Sequence, residues 1–397
     1  MRSKLRALWR AIRKIWAKLF MSETEPLRRW LDVSVNVEKT AGGGEDAEPL
    51  LWCSKEGSQQ VIGVFDGLGG AGSILYGDLP EQHTGAYYAS RSAREIVREF
   101  FHEESASGDD GEDFGILSAL EDNLRRGLKK RAEDLTRGGS ASRLKSTLIR
   151  TLPTTIAMIQ SCRRESGNDC RVEAIWAGDS RAFHLHPTQG LQQLSRDDLV
   201  SGGDPLENLI NDSPLSNYLS ADGNFHLNSS TFFFPLPTVL LVATDGCFGY
   251  VPTPIHFEYL LLESLDRASS SAEWQVNLAR RFVEIAGDDA SLALIAVGWE
   301  AVEDVQQAFR ARFAALKAEY IKAHDELVAE LADMDGQWKA LGDKRDRWRE
   351  KVQRSREMIW GHYCKGYMYH LSKEADLEPA GSSAEPPDRK AEEWEKS

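Results

Sequence analysis

Cysteine is scarce in this chain: five residues in 397 (Cys53, Cys162, Cys170, Cys247 and Cys364), an odd number with no Cys-x-x-Cys spacing. That argues against a disulfide scaffold or a zinc ribbon and leaves a reducing cytoplasm as the default compartment. No run of about 18 apolar residues occurs, so no segment is expected to span a membrane as a helix. The nine histidines form no His-Glu-x-x-His pair, and no Gly-x4-Gly-Lys-Ser/Thr phosphate loop is present. A Gly-x-Ser-x-Ala run at 178–182 approximates a nucleophile elbow. Ser180 leads into a strand pattern where that motif needs a helix, which argues against a serine hydrolase. Positive charge is also short: the formal net charge is −14, which disfavours a general nucleic-acid binder.

The charge is polarised. Residues 1–20 hold seven basic residues and no acidic one, while the remainder carries 41 Lys and Arg against 62 Asp and Glu. In this first segment Leu5, Leu8, Trp9, Ile12, Ile15, Trp16 and Leu19 recur three or four apart, which predicts a basic amphipathic helix. Such a helix suits a membrane surface or a partner groove. Two plainer alternatives are packing on the acidic body and a true start at Met21. The expected localisation is cytoplasmic, with peripheral contact at the inner membrane surface through residues 1–20 as the variant.

Residues 31–299 alternate β-rich runs with helical patterns. Strands are expected at 61–65, 154–160, 171–177, 181–186, 238–244 and 292–297, and helices at 85–101, 113–135, 255–265 and 273–286. The strands come as consecutive pairs, which points to antiparallel sheets with helices outside. From 300 to 370 apolar residues such as Phe309, Leu316, Leu327, Leu331, Trp338 and Leu341 sit three or four apart among charges. This predicts a long helix with a coiled-coil seam or a helical hairpin, with Gly336 and Gly342 as candidate turn positions. Residues 371–397 are polar and are expected to be disordered.

The chemistry is carried by acids at strand ends. Val61-Ile-Gly-Val-Phe-Asp66-Gly67-Leu-Gly69-Gly70 is a hydrophobic strand, an aspartate and a glycine-rich turn. Val239-Leu-Leu-Val-Ala-Thr-Asp245-Gly246 repeats the arrangement; Gly287-Asp288-Asp289 precedes a strand, and Gly178-Asp179-Ser180-Arg181 lies between two. A turn explains any one of these, because Asp-Gly turns well. Four together predict a carboxylate cluster at one end of a sheet, costly unless cations fill it. Oxygen-only ligands select hard ions such as Mg²⁺ or Mn²⁺.

The order of these motifs over residues 31–299 resembles the metal-dependent protein phosphatases of the 2C type. Glu45-Asp46-Ala47 is similar to the family's early Glu-Asp, and Asp66-Gly67-Leu68-Gly69-Gly70 to its Asp-Gly-x-Gly-Gly. Pro153-Thr154-Thr155-Ile156-Ala157, Gly178-Asp179-Ser180-Arg181, Thr244-Asp245-Gly246 and Asp288-Asp289-Ala290-Ser291 continue the set. The resemblance implies an α+β fold, a four-layer α-β-β-α sandwich of two antiparallel sheets, to which the C-terminal helix or coiled coil is added. It implies hydrolysis of phosphoserine and phosphothreonine in proteins with two Mg²⁺ or Mn²⁺ ions. Asp66 would bridge them, the Gly67 carbonyl would join one, Asp245 and Asp288 would complete the shell of the first metal, and Glu45 and Asp46 would orient metal-bound waters. A third ion at Asp179 is left open, because Gly249 stands where the family usually has a further Asp. The family's phosphate-gripping arginine is also missing; Ala41 stands there, with Lys39, Arg143, Lys145 and Arg150 as candidate substitutes. The implied partners are a phosphoprotein substrate, a cognate Ser/Thr kinase, and a second copy of the chain through the coiled coil. The alternative is a catalytically weak or inactive adaptor that binds a kinase or phosphoprotein.

Overall fold

The computed structural model describes residues 30–367 except 56, 78–81, 108–115, 138–149, 164–167 and 201–212, with backbone only at 105–107 and 362–367. The basic segment 1–20 and the tail 371–397 lie outside the described residues. The chain divides into two compact units, 1–323 and 324–397.

The first unit runs β1 (Trp30–Val37), β2 (Leu50–Cys53), β3 (Gln59–Val64), a small ribbon of β4 (Leu75–Tyr76) and β5 (His83–Thr84), α1 (Gly85–Ser107), α2 (Ile116–Arg137), β6 (Ile156–Arg163), β7 (Asp169–Ala177), β8 (Arg181–His186), β9 (Gly190–Gln193), β10 (Asn228–Pro235), β11 (Thr238–Ala243), α3 (Asp245–Phe248), α4 (Pro254–Asp266), α5 (Ser271–Ile285), β12 (Ala290–Val297) and α6 (Val302–Leu316). A π-helical turn at Lys317–Ile321 leads into α7 (Lys322–Tyr367). One sheet has the order β1-β12-β11-β8-β9 and the other β10-β7-β6-β3-β2. Every pairing within them is antiparallel.

The layers follow from side-chain alternation. In β11, Val239 and Leu241 face the cluster shared with α4, α5 and α6, whereas Leu240 and Val242 face the other sheet. The second sheet buries Val61 and Phe65 against Phe101, Leu120 and Leu124 of α1 and α2. The result is the expected α-β-β-α sandwich.

α6 belongs to the body: Val302, Val305, Phe309 and Leu316 are buried in the first unit's core. The spacing of Phe309 and Leu316 is therefore that of a helix packed on a sheet layer. α7 runs through Gly336 and Gly342 as one helix with no turn at either position. Nothing packs against the position that a Cβ would occupy at either glycine. The ~1 kcal/mol cost of each glycine is absorbed by the remaining helix.

Candidate active site

Four strand termini deliver carboxylates to one cleft of ≈ 740 Å³, where Asp66, Gly67, Asp179, Asp245 and Asp288 all lie on the lining. Asp66 follows β3, and its carbonyl accepts from the Thr155 amide (2.8 Å) and Thr154 Oγ1 (2.6 Å), which fixes the strand end against β6. Asp179 sits in the turn between β7 and β8, where Gly178 takes a φ of +107°. Asp245 opens α3 directly after β11, and Asp288 precedes β12.

At Gly67 and Gly246 a side chain would meet backbone, and at Gly69 it would displace the Glu45 carboxylate. A Cβ at Gly67 would lie 2.6 Å from the Glu45 carbonyl oxygen, and one at Gly69 would lie 1.9 Å from Glu45 Oε2. At Gly246 it would lie 1.8 Å from the Asp289 carbonyl oxygen. The early Glu-Asp element is thus clamped between the glycine turn after β3 and the segment before β12.

Asp289 makes that clamp. Its carboxylate accepts from the Lys39 amide (2.7 Å) and the Glu45 amide (2.6 Å). Thr84 Oγ1 donates to Glu45 Oε1 at 2.6 Å. Arg91 donates to the Gly44 carbonyl at 3.1 Å. Its guanidinium also lies 3.5 Å over the Tyr87 ring. Asp46 is buried and accepts from Thr244 Oγ1 at 2.9 Å. Thr84 and Arg91 do not stand out in the sequence, and Asp289 appears there only as a neighbour of Asp288; Asp289 and Arg91 act on backbone groups of the 38–46 loop and Thr84 on the Glu45 carboxylate, which only the folded chain brings near.

The electrostatics of the cluster are unfavourable as it stands. Burial pushes Asp46 up to about 7, with Asp289 and Asp245 as further negative neighbours. Asp66 is raised well above the ordinary carboxylate range by burial, then by Asp46, Asp245 and Asp179. Asp179 is likewise pushed up to about 7 by burial and by Asp245 and Asp197. One of its oxygens, Oδ1, is buried with no hydrogen-bond partner. Burial also raises Glu45. Carboxylates held in this way, with an orphaned buried oxygen and only oxygen donors, suit a hard divalent cation. Among the described residues no three His, Cys, Asp or Glu side chains converge as a ready-made metal cage.

Arg181 and Asp197 form a bidentate pair (2.9 and 2.6 Å) on the cleft lining, with the guanidinium 4.4 Å over Phe248. Of the basic candidates, Arg150 reaches the cleft rim, its Nε donating to the hydroxyl of cleft-lining Tyr218 at 3.1 Å. Lys39 is exposed in the loop that carries Ala41, and Arg143 and Lys145 lie outside the described residues.

No family model matches this sequence, and no curated protein matches it. Solved structures do. The chain is similar to a bacterial serine phosphatase at 14% identity and a TM-score of 0.48, over 68% of this chain and 98% of that one. It is also similar to the serine/threonine phosphatase Stp1 from Staphylococcus aureus (14% identity, TM-score 0.45, over 70% and 97%). A third is the serine/threonine phosphatase PstP/Ppp from Mycobacterium tuberculosis (18% identity, TM-score 0.43, over 68% and 98%).

Proposed function

We propose that this chain is a metal-dependent protein serine/threonine phosphatase of the 2C type. The observation that carries the proposal is that Asp66, Asp179, Asp245 and Asp288 line one cleft, in the motif order of that family.

In this reading Asp66, the Gly67 carbonyl, Asp245 and Asp288 hold two Mg²⁺ or Mn²⁺ ions, and Asp179 is the candidate for a third. Such ions neutralise phosphoryl oxygens and acidify the attacking water, which is most of what phosphate-ester hydrolysis requires. The chain's own residues do the positioning. Thr84 and Asp289 hold Glu45, and Thr244 holds Asp46; in this reading the two carboxylates would orient water beside the ions. Arg150, bonded to cleft-lining Tyr218, is the candidate we favour to meet the substrate phosphate, since Ala41 stands where the family has its arginine. A loop end with no arginine also favours a second reading, an adaptor that binds phosphoproteins or a kinase without turnover.

The deciding experiment is Mn²⁺-dependent release of phosphate from a phosphothreonine peptide. Turnover that is lost in Asp66→Asn and in Asp245→Asn supports the enzyme; no turnover with either metal across several peptides leaves the adaptor. Among the described residues no helix is long and apolar enough to cross a membrane. The cytoplasmic placement, the kinase partner and the membrane-surface role of residues 1–20 rest on the sequence alone. Liposome co-sedimentation of the full chain against a chain starting at Met21 tests the last of these.

A further inference from the structure

α7, the helix of the second unit, keeps an apolar stripe in solvent. Leu327, Leu331, Met334, Trp338 and Leu341 follow one another at alternating spacings of four and three, and after Arg345 the register continues through Trp348 and Val352. These side chains are 48–74% exposed. From Leu327 to Val352 the pattern covers nearly four heptads, or about 39 Å of helix at ~1.5 Å per residue. Gly336 and Gly342 fall outside the stripe, where their missing side chains cost no contact.

The charge beside the stripe is split along the helix. Residues 325–339 carry five acids (Asp325, Glu326, Glu330, Asp333, Asp335) and one base, Lys339. Residues 340–354 carry six basic residues against three acids. A parallel pair would set acid against acid, base against base, and Arg345 against Arg345 in the seam. An antiparallel pair sets each acidic half against a basic one.

We propose that α7 pairs antiparallel with α7 of a second copy of this chain, about a two-fold axis between Lys339 and Ala340. One register places every seam position opposite another. Trp338 meets Leu341 of the second copy, Leu331 meets Trp348, Leu327 meets Val352, and Met334 meets the aliphatic stem of Arg345. In the same register Glu330 flanks the seam beside Lys351 of the second copy. The surface is self-complementary, as a two-fold interface requires. The inference does not depend on the phosphatase reading, because no residue of the cleft takes part.

The test uses the full chain. Sedimentation at micromolar concentrations is expected to give twice the chain mass. Trp338→Glu and Leu341→Glu are each expected to give monomers with unchanged near-ultraviolet dichroism of the body. Orientation is read by mixing differently tagged Leu327→Cys and Val352→Cys chains under mild oxidation. A mixed crosslink well above the wild-type background supports the antiparallel pair. Self-crosslinking of Leu327→Cys with itself would overturn it in favour of a parallel pair. A monomer at tens of micromolar would overturn it, as would a dimer indifferent to both Glu substitutions. A full chain that is monomeric, yet dimeric once residues 1–20 are removed, would assign the stripe to that basic segment and overturn it too.

Discussion

Thr244 Oγ1 donates to Asp46 Oδ2 at 2.9 Å and accepts the Ser291 amide at 2.9 Å, tying the end of β11 to the early acidic loop and to β12. All three groups are buried. Thr244→Val keeps the shape and removes both bonds, leaving a buried carboxylate and a buried amide short of partners. The expected cost is about 2–6 kcal/mol, from ~1–3 kcal/mol for each of the two groups. Phosphatase turnover should fall with it, because Asp46 loses its anchor. Thr244→Ser retains the hydroxyl and should restore most of both. Urea midpoints and turnover measured on the same preparations check this.

Arg181 and Asp197 are 5% and 3% exposed, so their bidentate pair is almost dry. Removing one partner of such a pair strands the other charge, at about 3–5 kcal/mol. Arg181→Met should therefore be strongly destabilising by urea denaturation. Arg181→Met combined with Asp197→Leu should recover part of the loss, since no buried charge remains. If the single substitution is mild, the pair is better hydrated than its burial indicates.

Gly69 and Gly246 separate activity from stability. A Cβ at Gly69 meets the end of the Glu45 side chain, which can swing away. Gly69→Ala should keep the melting temperature within a few degrees while lowering turnover, because Glu45 moves off Thr84. A Cβ at Gly246 meets the Asp289 backbone, which cannot yield without moving β12. Gly246→Ala should lower stability by several kcal/mol, as forced overpacking does. Thermal melts beside phosphopeptide turnover distinguish the two.

Much of the sandwich is visible in the residues, and the reasons for the exceptions are physical. β11 and β12 are buried on both faces, so they read as continuous apolar runs. β1 is harder to see because Asp32, Ser34 and Asn36 alternate with Val33, Val35 and Val37 on a strand half open to polar neighbours. β10 is hidden because it is an edge strand with Phe233 pointing to solvent. Asp66 and Asp245 are legible from a strand followed by Asp-Gly. The clamping role of Asp289 is not, since it lies in amides some 250 residues away. The spacing of Phe309 and Leu316 fits either a coiled-coil seam or a packed face, and only the fold assigns them to the body.

His184 makes one separable contribution to the pH dependence of stability. Its ring stacks on Phe234 with centroids 3.9 Å apart, and Nδ1 is hydrogen-bonded to Gln192 Oε1 at 2.9 Å. Burial lowers its pKa below the ordinary 6.5, with His186 adding to the effect and Gln192 opposing it. The unfolded chain therefore takes up the proton first as pH falls. The stability tied to His184 is intact above about 6.5 and declines below it, until the folded pKa is reached. The slope is at most ~1.4 kcal/mol per pH unit for one group. Asp46 and Asp179, raised to about 7, act with the opposite sign and do so equally in the wild type and in His184→Phe. The contribution of His184 is therefore the difference between the two proteins: the urea midpoint of the wild type relative to His184→Phe should fall between pH 7.5 and pH 5.5, since the Phe ring stacks and does not titrate. A difference that stays constant over that range would show that His184 does not titrate there.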